Sequence, residues 1–405
     1  MIVKKPARLY LLSFLFGFVV FVLIFCCSRE HKEVSQPDDS LKTPVQILVL
    51  ASDPAKNGSA PEKELEGVLL AHALMPVVAN TPIELSVNDS SERDVVNILS
   101  ELLADDHLAG IIICGSDFND VPDPHNASCG VPVVDLTWVR VFPDEQMGNC
   151  LVYSPAPSLQ EQAEAAAVFL SSSLKIRKVA ILVDDRLRAS VMLASLFASQ
   201  MISAGGTIVE LLSIGQEEMH SGALDRILRS KPEALFLPDS PGFTQKALSL
   251  LAESDLQLRV VVSNVEDEEV LLESALVMPE SVYLITGYHA DAVQTERAQV
   301  FLRQFRKQHA RRLPSARVAR GAEAYFFLAD HISRQELFRK PSTGDKMLQE
   351  DKRTVGMLGI DNQEGIQKSL YVGRVRPRFM RTTILEYVET IKPGVLDSGG
   401  DIRAQ

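Results

Sequence analysis

The side chains able to do covalent or metal chemistry are few in this sequence and badly spaced for it. Its 405 residues include five cysteines, Cys26, Cys27, Cys114, Cys129 and Cys150, and eight histidines. No CxxC pair occurs and histidine is sparse near the cysteines, so no zinc site is expected. His31, His72, His107, His125, His220, His289, His309 and His331 show no spacing to a serine or cysteine that suggests a nucleophile with its base. There is no GxSxG elbow, Walker loop, GxGxxG or HExxH. An enzyme is therefore not expected, and no catalytic residue, metal or cofactor is assigned. One disulfide, Cys129 with Cys150 or with Cys114, is open, and so is a buried free thiol at Cys114, which sits in an apolar run.

Composition narrows the partners. The net charge is −12, and a nucleic-acid partner would require a basic footprint. Apolar residues make up 46% of the chain, enough for sizeable cores, and the length allows two or three domains.

The N-terminus reads as an address. Lys4, Lys5 and Arg8 precede an uncharged apolar run over residues 9–27. The run is about as long as a spanning helix, roughly 20 residues, so an uncleaved anchor is one reading. The other is lipidation: Ile24-Phe25-Cys26-Cys27 resembles a bacterial lipobox, with Cys27 the modified residue because small Cys26 precedes it. Both readings keep the positive charges inside and the body outside the cytoplasm, at the periplasm or outer envelope face. Residues 1–27 are the signal or anchor, and the polar stretch 28–44 is a tether.

From residue 45 the chain alternates apolar strand runs with helical periodicities. Strands are expected at 45–50, 83–87, 110–114 and 131–134, with a helix over 62–75 ended by Pro76. The pattern then restarts. Helices at 161–170, 191–204 and 243–252 alternate with strands at 179–183, 208–212, 234–237, 259–262 and 282–285. A helical segment lies at 224–228. Gly205-Gly206 closes the second of these helices. Helices follow near 298–309 and 322–332, then late strands at 355–358 and 370–375, and a loose tail from Pro393. Continuous apolar strand runs suit parallel sheets covered on both faces. Two such series predict an α/β fold of two doubly wound parallel-sheet lobes.

In such sheets ligands bind beyond the C-terminal ends of the strands. The polar residues there are Ser116 and Asp117, Asp135 and Thr137, Arg188, Asp239 and Ser240, and Asn264 and Glu266. Asp and Ser at such places also serve simply as helix N-caps, and Arg188 could be a solvated charge or a partner for Asp184. Trp138 could stack on a ligand or fill a gap.

The order of these pieces resembles the type I periplasmic binding proteins, in particular the branched-chain amino-acid (leucine-binding) group of ABC-transporter substrate-binding lipoproteins. The resemblance runs over residues 45–375. It rests on SPAPSLQEQAEAAAVFL from Ser154, on Arg177-Lys178-Val179-Ala180-Ile181-Leu182 with Asp184-Asp185, and on Ala204-Gly205-Gly206-Thr207. Ser281-Val-Tyr-Leu-Ile-Thr-Gly-Tyr288, Phe301 with Phe305, Ala322-Glu-Ala-Tyr325 and Gly356-Met-Leu-Gly-Ile-Asp361 complete it. It implies three crossover segments, near 154–160, 286–290 and 336–352. Lobe one would be 45–155 plus 289–338, lobe two 156–288 plus 350–392, with a tail at 393–405. It also implies that Ser116 and Thr137 hold a carboxylate and that an acidic residue, Asp239 or Glu266, meets an ammonium. Arg188 stands where relatives carry a Tyr, and the Ser/Thr-rich stretch after the fourth strand is thin. Two functions follow: capture of a small polar, amino-acid-like ligand for an ABC permease, or an adaptor of the same fold that regulates an envelope enzyme.

Overall fold

The computed structural model describes residues 41–51, 61–89, 107–115, 131–136, 152–238, 241–253, 258–263, 268–275, 281–292, 295–310, 312–339, 369–378 and 382–392. The N-terminal apolar run, the expected strand at 355–358 and the tail from Pro393 lie outside them. None of the described helices is long and apolar enough to cross a membrane.

Two sheets form, both within the unit Thr43–Gln405. Sheet one holds β1 (Val45–Ala51), β2 (Val77–Val78), β3 (Thr81–Asp89), β4 (Leu108–Cys114), β5 (Val133–Asp135) and β6 (Val152–Tyr153). Their order is β2-β3-β1-β4-β5-β6. All pairs are parallel except β2 with β3. That hairpin turns at Ala79 and Asn80, with φ of 50° and 64°. Two successive left-handed residues match the twist of the strands they join. Strand β2 was not expected from the sequence, because neither turn residue is Gly.

Sheet two holds β7 (Lys178–Asp184), β8 (Thr207–Ile214), β9 (Ala234–Pro238), β10 (Arg259–Ser263), β11 (Val282–Thr286), β12 (Leu370–Arg378) and β13 (Thr382–Ile391). The order is β13-β12-β11-β10-β9-β7-β8. The strands from β7 to β11 pair in parallel, but β12 and β13 form an antiparallel hairpin on the β11 edge. The sheet is thus mixed rather than purely parallel, and β13 was not expected from the sequence.

The helices are α1 (Glu62–Leu74), α2 (Leu159–Val168, running on as a π turn through Ser173), α3 (Arg188–Ser203), α4 (Ser221–Arg229), α5 (Pro241–Glu253), α6 (Glu268–Ser274), α7 (Glu296–Gln308) and α8 (Ala316–Arg339). Sheet two is covered on both faces, and its strands show how. Val179, Ile181 and Val183 of β7 pack into the core under α2 and α3 with Phe169 and Phe197. Ala180 and Leu182 point the other way, into the core of α4 and α5 with Leu224, Phe243 and Leu248. A continuous apolar run is therefore two interleaved faces, each with its own helix layer.

Sheet one packs against α1, α7 and α8 through Ile47, Val49, Ile112, Val68, Phe301, Phe305, Tyr325 and Phe326. Helices α1 and α8 touch backbone to backbone. A Cβ on Gly67 would lie 2.0 Å from the Val318 carbonyl oxygen, and one on Gly321 would lie 1.9 Å from that of Glu64. Glycine is required at both places because no side chain fits between the helices.

The chain changes sheet three times. It leaves sheet one after β6 and enters α2. It leaves sheet two after β11 and enters α7. It returns to sheet two between α8 and β12. The first two changes follow directly on the C-terminal ends of β6 and β11, so those ends of both sheets border one junction.

Candidate functional site

On the side of sheet one, the junction is floored by a buried polar knot. Glu64, in the first turn of α1, is almost fully buried. Its Oε2 accepts the N–H of Gly115, just beyond β4, at 3.0 Å. Its Oε1 takes Arg317 Nε at 3.3 Å and lies 3.6 Å from the Arg320 guanidinium, both from α8. The close approach of α1 and α8, at Gly67 against Val318 and at Gly321 against Glu64, makes this reach possible, because it brings the two helix backbones together at Glu64. Gly115 itself has φ of 103°, a conformation natural only to glycine. Beside it, Cys114 is a buried free thiol, which settles the sequence alternative for that residue. Burial pushes its pKa well up, the charges of Glu64 and Asp135 add to this, and Arg317 partly offsets them. A thiol kept protonated in this way is no nucleophile.

On the side of sheet two, Asp184 ends β7 fully buried. Arg186 grips it with Nε on Oδ1 at 2.9 Å and a terminal nitrogen on Oδ2 at 2.7 Å. The Arg186 backbone N–H also donates to Oδ1. This grip raises the Arg186 pKa. The same guanidinium donates to Gln216 Oε1, and Lys246 Nζ donates to the Gln216 carbonyl. The loop after β7 is thereby tied through Gln216 to the middle of α5.

Between the lobes, Ser158 and Glu161 form a capping box that starts α2 straight after the first crossing. Gln162 donates to the Pro157 carbonyl and accepts from Ser263 Oγ, at the end of β10, at 2.9 Å. The second crossing runs beside the first: a Cβ on Gly287 would lie 3.0 Å from Pro157 Cδ. Thr286 Oγ1 donates to Glu268 Oε1 at 3.2 Å, and the Ala316 N–H of α8 donates to Glu268 Oε2 at 3.4 Å. Next along, the Asp291 N–H donates to His289 Nδ1, which leaves Nε2 to carry the proton toward the Leu385 carbonyl of β13 at 3.1 Å. Burial lowers the His289 pKa, consistent with this neutral tautomer.

Of the residues expected from sequence, two are described. Asp135 is buried at the end of β5, facing the surroundings of Cys114 and Glu64. Arg188 is exposed as the first residue of α3, and the arginine that grips Asp184 is Arg186. Ser116, Thr137, Asp239, Ser240, Glu266 and Cys27 lie outside the described residues, as do Asp117, Trp138, Asn264, Cys129 and Cys150. Sequence reasoning missed Glu64, Arg317, Arg320 and Glu268. Glu64 carried no distinguishing signal, because Glu62, Lys63 and Glu66 stand beside it in the same helix. No group of three or more His, Cys, Asp or Glu that could hold a metal occurs among the described residues. A surface groove of about 500 Å³ runs along the outer face of α1, lined by Leu65, Leu69, Ala73, Glu62, Glu66 and His309. It is not formed by the strand ends.

Residues 50–352 match the family described as periplasmic binding protein. No curated protein sequence matches the chain. Among solved structures, a leucine binding protein LivK from Thermotoga maritima superposes with a TM-score of 0.66 at 20% identity, covering 86% of this chain and 99% of that one. A solute binding protein of an ABC transporter from Rhodopseudomonas palustris, in complex with p-hydroxybenzoic acid, gives 0.65 at 17% identity, covering 87% and 97%. The branched-chain amino acid transporter substrate binding protein LivJ from Streptococcus pneumoniae, in complex with isoleucine, gives 0.61 at 15% identity, covering 86% and 100%.

Proposed function

Since the chain belongs to the periplasmic binding protein family, we propose that it is an extracytoplasmic solute-binding lipoprotein, one that takes a small polar, amino-acid-like ligand between its lobes and delivers it to an ABC permease. The observation that carries this reading is the junction where the strand ends of both sheets meet, with two crossing segments packed side by side at Pro157 and Gly287. A ligand that touches both lobes there would favour hinge closure. In this reading lobe one is 45–155 plus 289–338 and lobe two 156–288 plus 350–392. Ser116, Asp135 and Thr137 face Arg188, Asp239, Ser240 and Glu266 across the ligand. Residues 28–44 are the tether and 393–405 a tail.

The test is a thermal-shift panel of amino acids, short peptides, nucleobases and aromatic acids such as 4-hydroxybenzoate. A ligand at about a hundred times its Kd raises stability by about 2.7 kcal/mol. We expect one chemical class to do so, and Thr137→Ala with Asp239→Ala to abolish the shift. A flat response across the panel would reject solute binding and leave the envelope-adaptor reading standing.

The anchor is tested separately. Labelled palmitate fed to cells should enter the protein and be absent from Cys27→Ala. Label retained in that variant rules out Cys27 as the lipidated residue.

A further inference from the structure

Glu268 belongs to lobe two but reaches into lobe one. It opens α6, on the far side of the loop that follows β10, and Thr286 at the end of β11 holds its Oε1 from the same sheet. Its Oε2 accepts from Ala316, the first residue of α8, whose helix is packed into the core of sheet one. The partner is well chosen physically. The first amides of a helix have no acceptor within it, and a helix 24 residues long presents a positive end to a carboxylate. The helix already has its own cap, since Ser315 Oγ accepts the Val318 N–H. Glu268 is thus additional to local capping, and it comes from another lobe. Thr286 continues the chain of bonds: its Oγ1 also accepts the N–H of Tyr288. Tyr288 is buried in the core of sheet one, while Thr286 is still a strand residue of sheet two. The change of lobe therefore falls at Gly287, and Glu268 braces it from the side.

We propose that Glu268 is a positioning residue for the interlobe cleft: its carboxylate, fixed to sheet two by Thr286, docks on the first turn of α8 and holds the lobes in one mutual orientation. It rests on the solute-binding reading only for its purpose. A ligand shifts an equilibrium between orientations only by its differential affinity for them, and a residue that favours one orientation changes the balance on which the ligand acts.

The test uses the full chain in detergent without ligand, so it is independent of whether any solute binds. Non-canonical amino acids at exposed Ala73 on α1 and exposed Ser199 on α3 would carry spin labels, and pulsed dipolar spectroscopy would read the distance distribution. The parent should give one narrow distribution. Glu268→Ala should broaden it and move its mean, and Glu268→Gln, which keeps one acceptor oxygen but loses the charge, should fall between. Ser315→Ala removes the helix's own cap and should leave the distribution unchanged. An unaltered distribution in Glu268→Ala overturns the proposal. So does equal broadening in Ser315→Ala, because fraying of α8 would then account for the effect.

Discussion

Gly321→Ala should destabilise the protein by about 1–3 kcal/mol or somewhat more, the usual cost of forcing extra volume into a packed contact. The reason lies in what the new methyl group meets. It would sit 1.9 Å from the Glu64 carbonyl oxygen and 2.8 Å from its carbon, and both are backbone atoms of a second helix that cannot rotate away. The helices must separate, and everything that depends on their closeness loosens with them. Helix propensity works in the opposite direction, since alanine is favoured over glycine within a helix by roughly 1 kcal/mol, so a net loss isolates the packing term. Gly242→Ala supplies the contrast. Its methyl group would meet the amide end of the Gln216 side chain at 2.6 Å, and that end can swing aside. Urea denaturation of both variants reads the difference. Equal stability losses would mean that the α1–α8 contact is not what the glycine at 321 serves.

The second large effect is expected at Glu64. Removal of one member of a buried ion pair typically costs about 3–5 kcal/mol, because the other charge is left buried without compensation. Glu64→Ala strips the acceptor from the Gly115 N–H and the counter-charge from Arg317 and Arg320 at once. Arg317→Ala should cost less, since Arg320 remains to face the carboxylate. Combining Glu64→Met with Arg317→Leu should recover part of the loss, as apolar replacements of buried pairs often do. Denaturant midpoints for the three variants test the order. If Glu64→Ala proves the mildest, the carboxylate is not the centre of the knot.

Much of the architecture was legible because burial on two faces writes itself into sequence. Residues 179–183 are apolar throughout because odd and even positions serve different cores. The helix over 188–203 ends where Gly205, at φ 77°, turns the chain. What escaped were elements with weaker signatures. Strand β2 is two residues long, and its turn is built on Ala79 and Asn80. Strand β13 lies at the sheet edge with Ile384, Tyr387 and Val388 partly exposed among Thr and Glu, so it has neither a continuous apolar run nor a clean alternation.

The junction was less legible for a different reason. Glu64 and Arg317 are 253 positions apart, and nothing local in either segment announces the other. Near Asp184 the difficulty was one of spacing. Two arginines follow it within four residues, and only the turn at Asp185 and Arg186 decides that the nearer one folds back onto the carboxylate while Arg188 faces outward.

The three passages between sheets also govern the order in which the molecule can be assembled. A chain emerging amino end first has all the described strands of sheet one before α8 exists to seat α1, and five strands of sheet two before the β12–β13 hairpin exists to cover the β11 edge. Contacts that must wait for so distant a partner form slowly, and the waiting intermediates expose apolar faces and unpaired strand edges. All described elements of the sheet-one lobe therefore exist by residue 339, while sheet two still waits for residues 370–391. The last piece in place is the β12–β13 edge of sheet two, and until it arrives the strands that precede residue 370 leave the β11 edge unpaired.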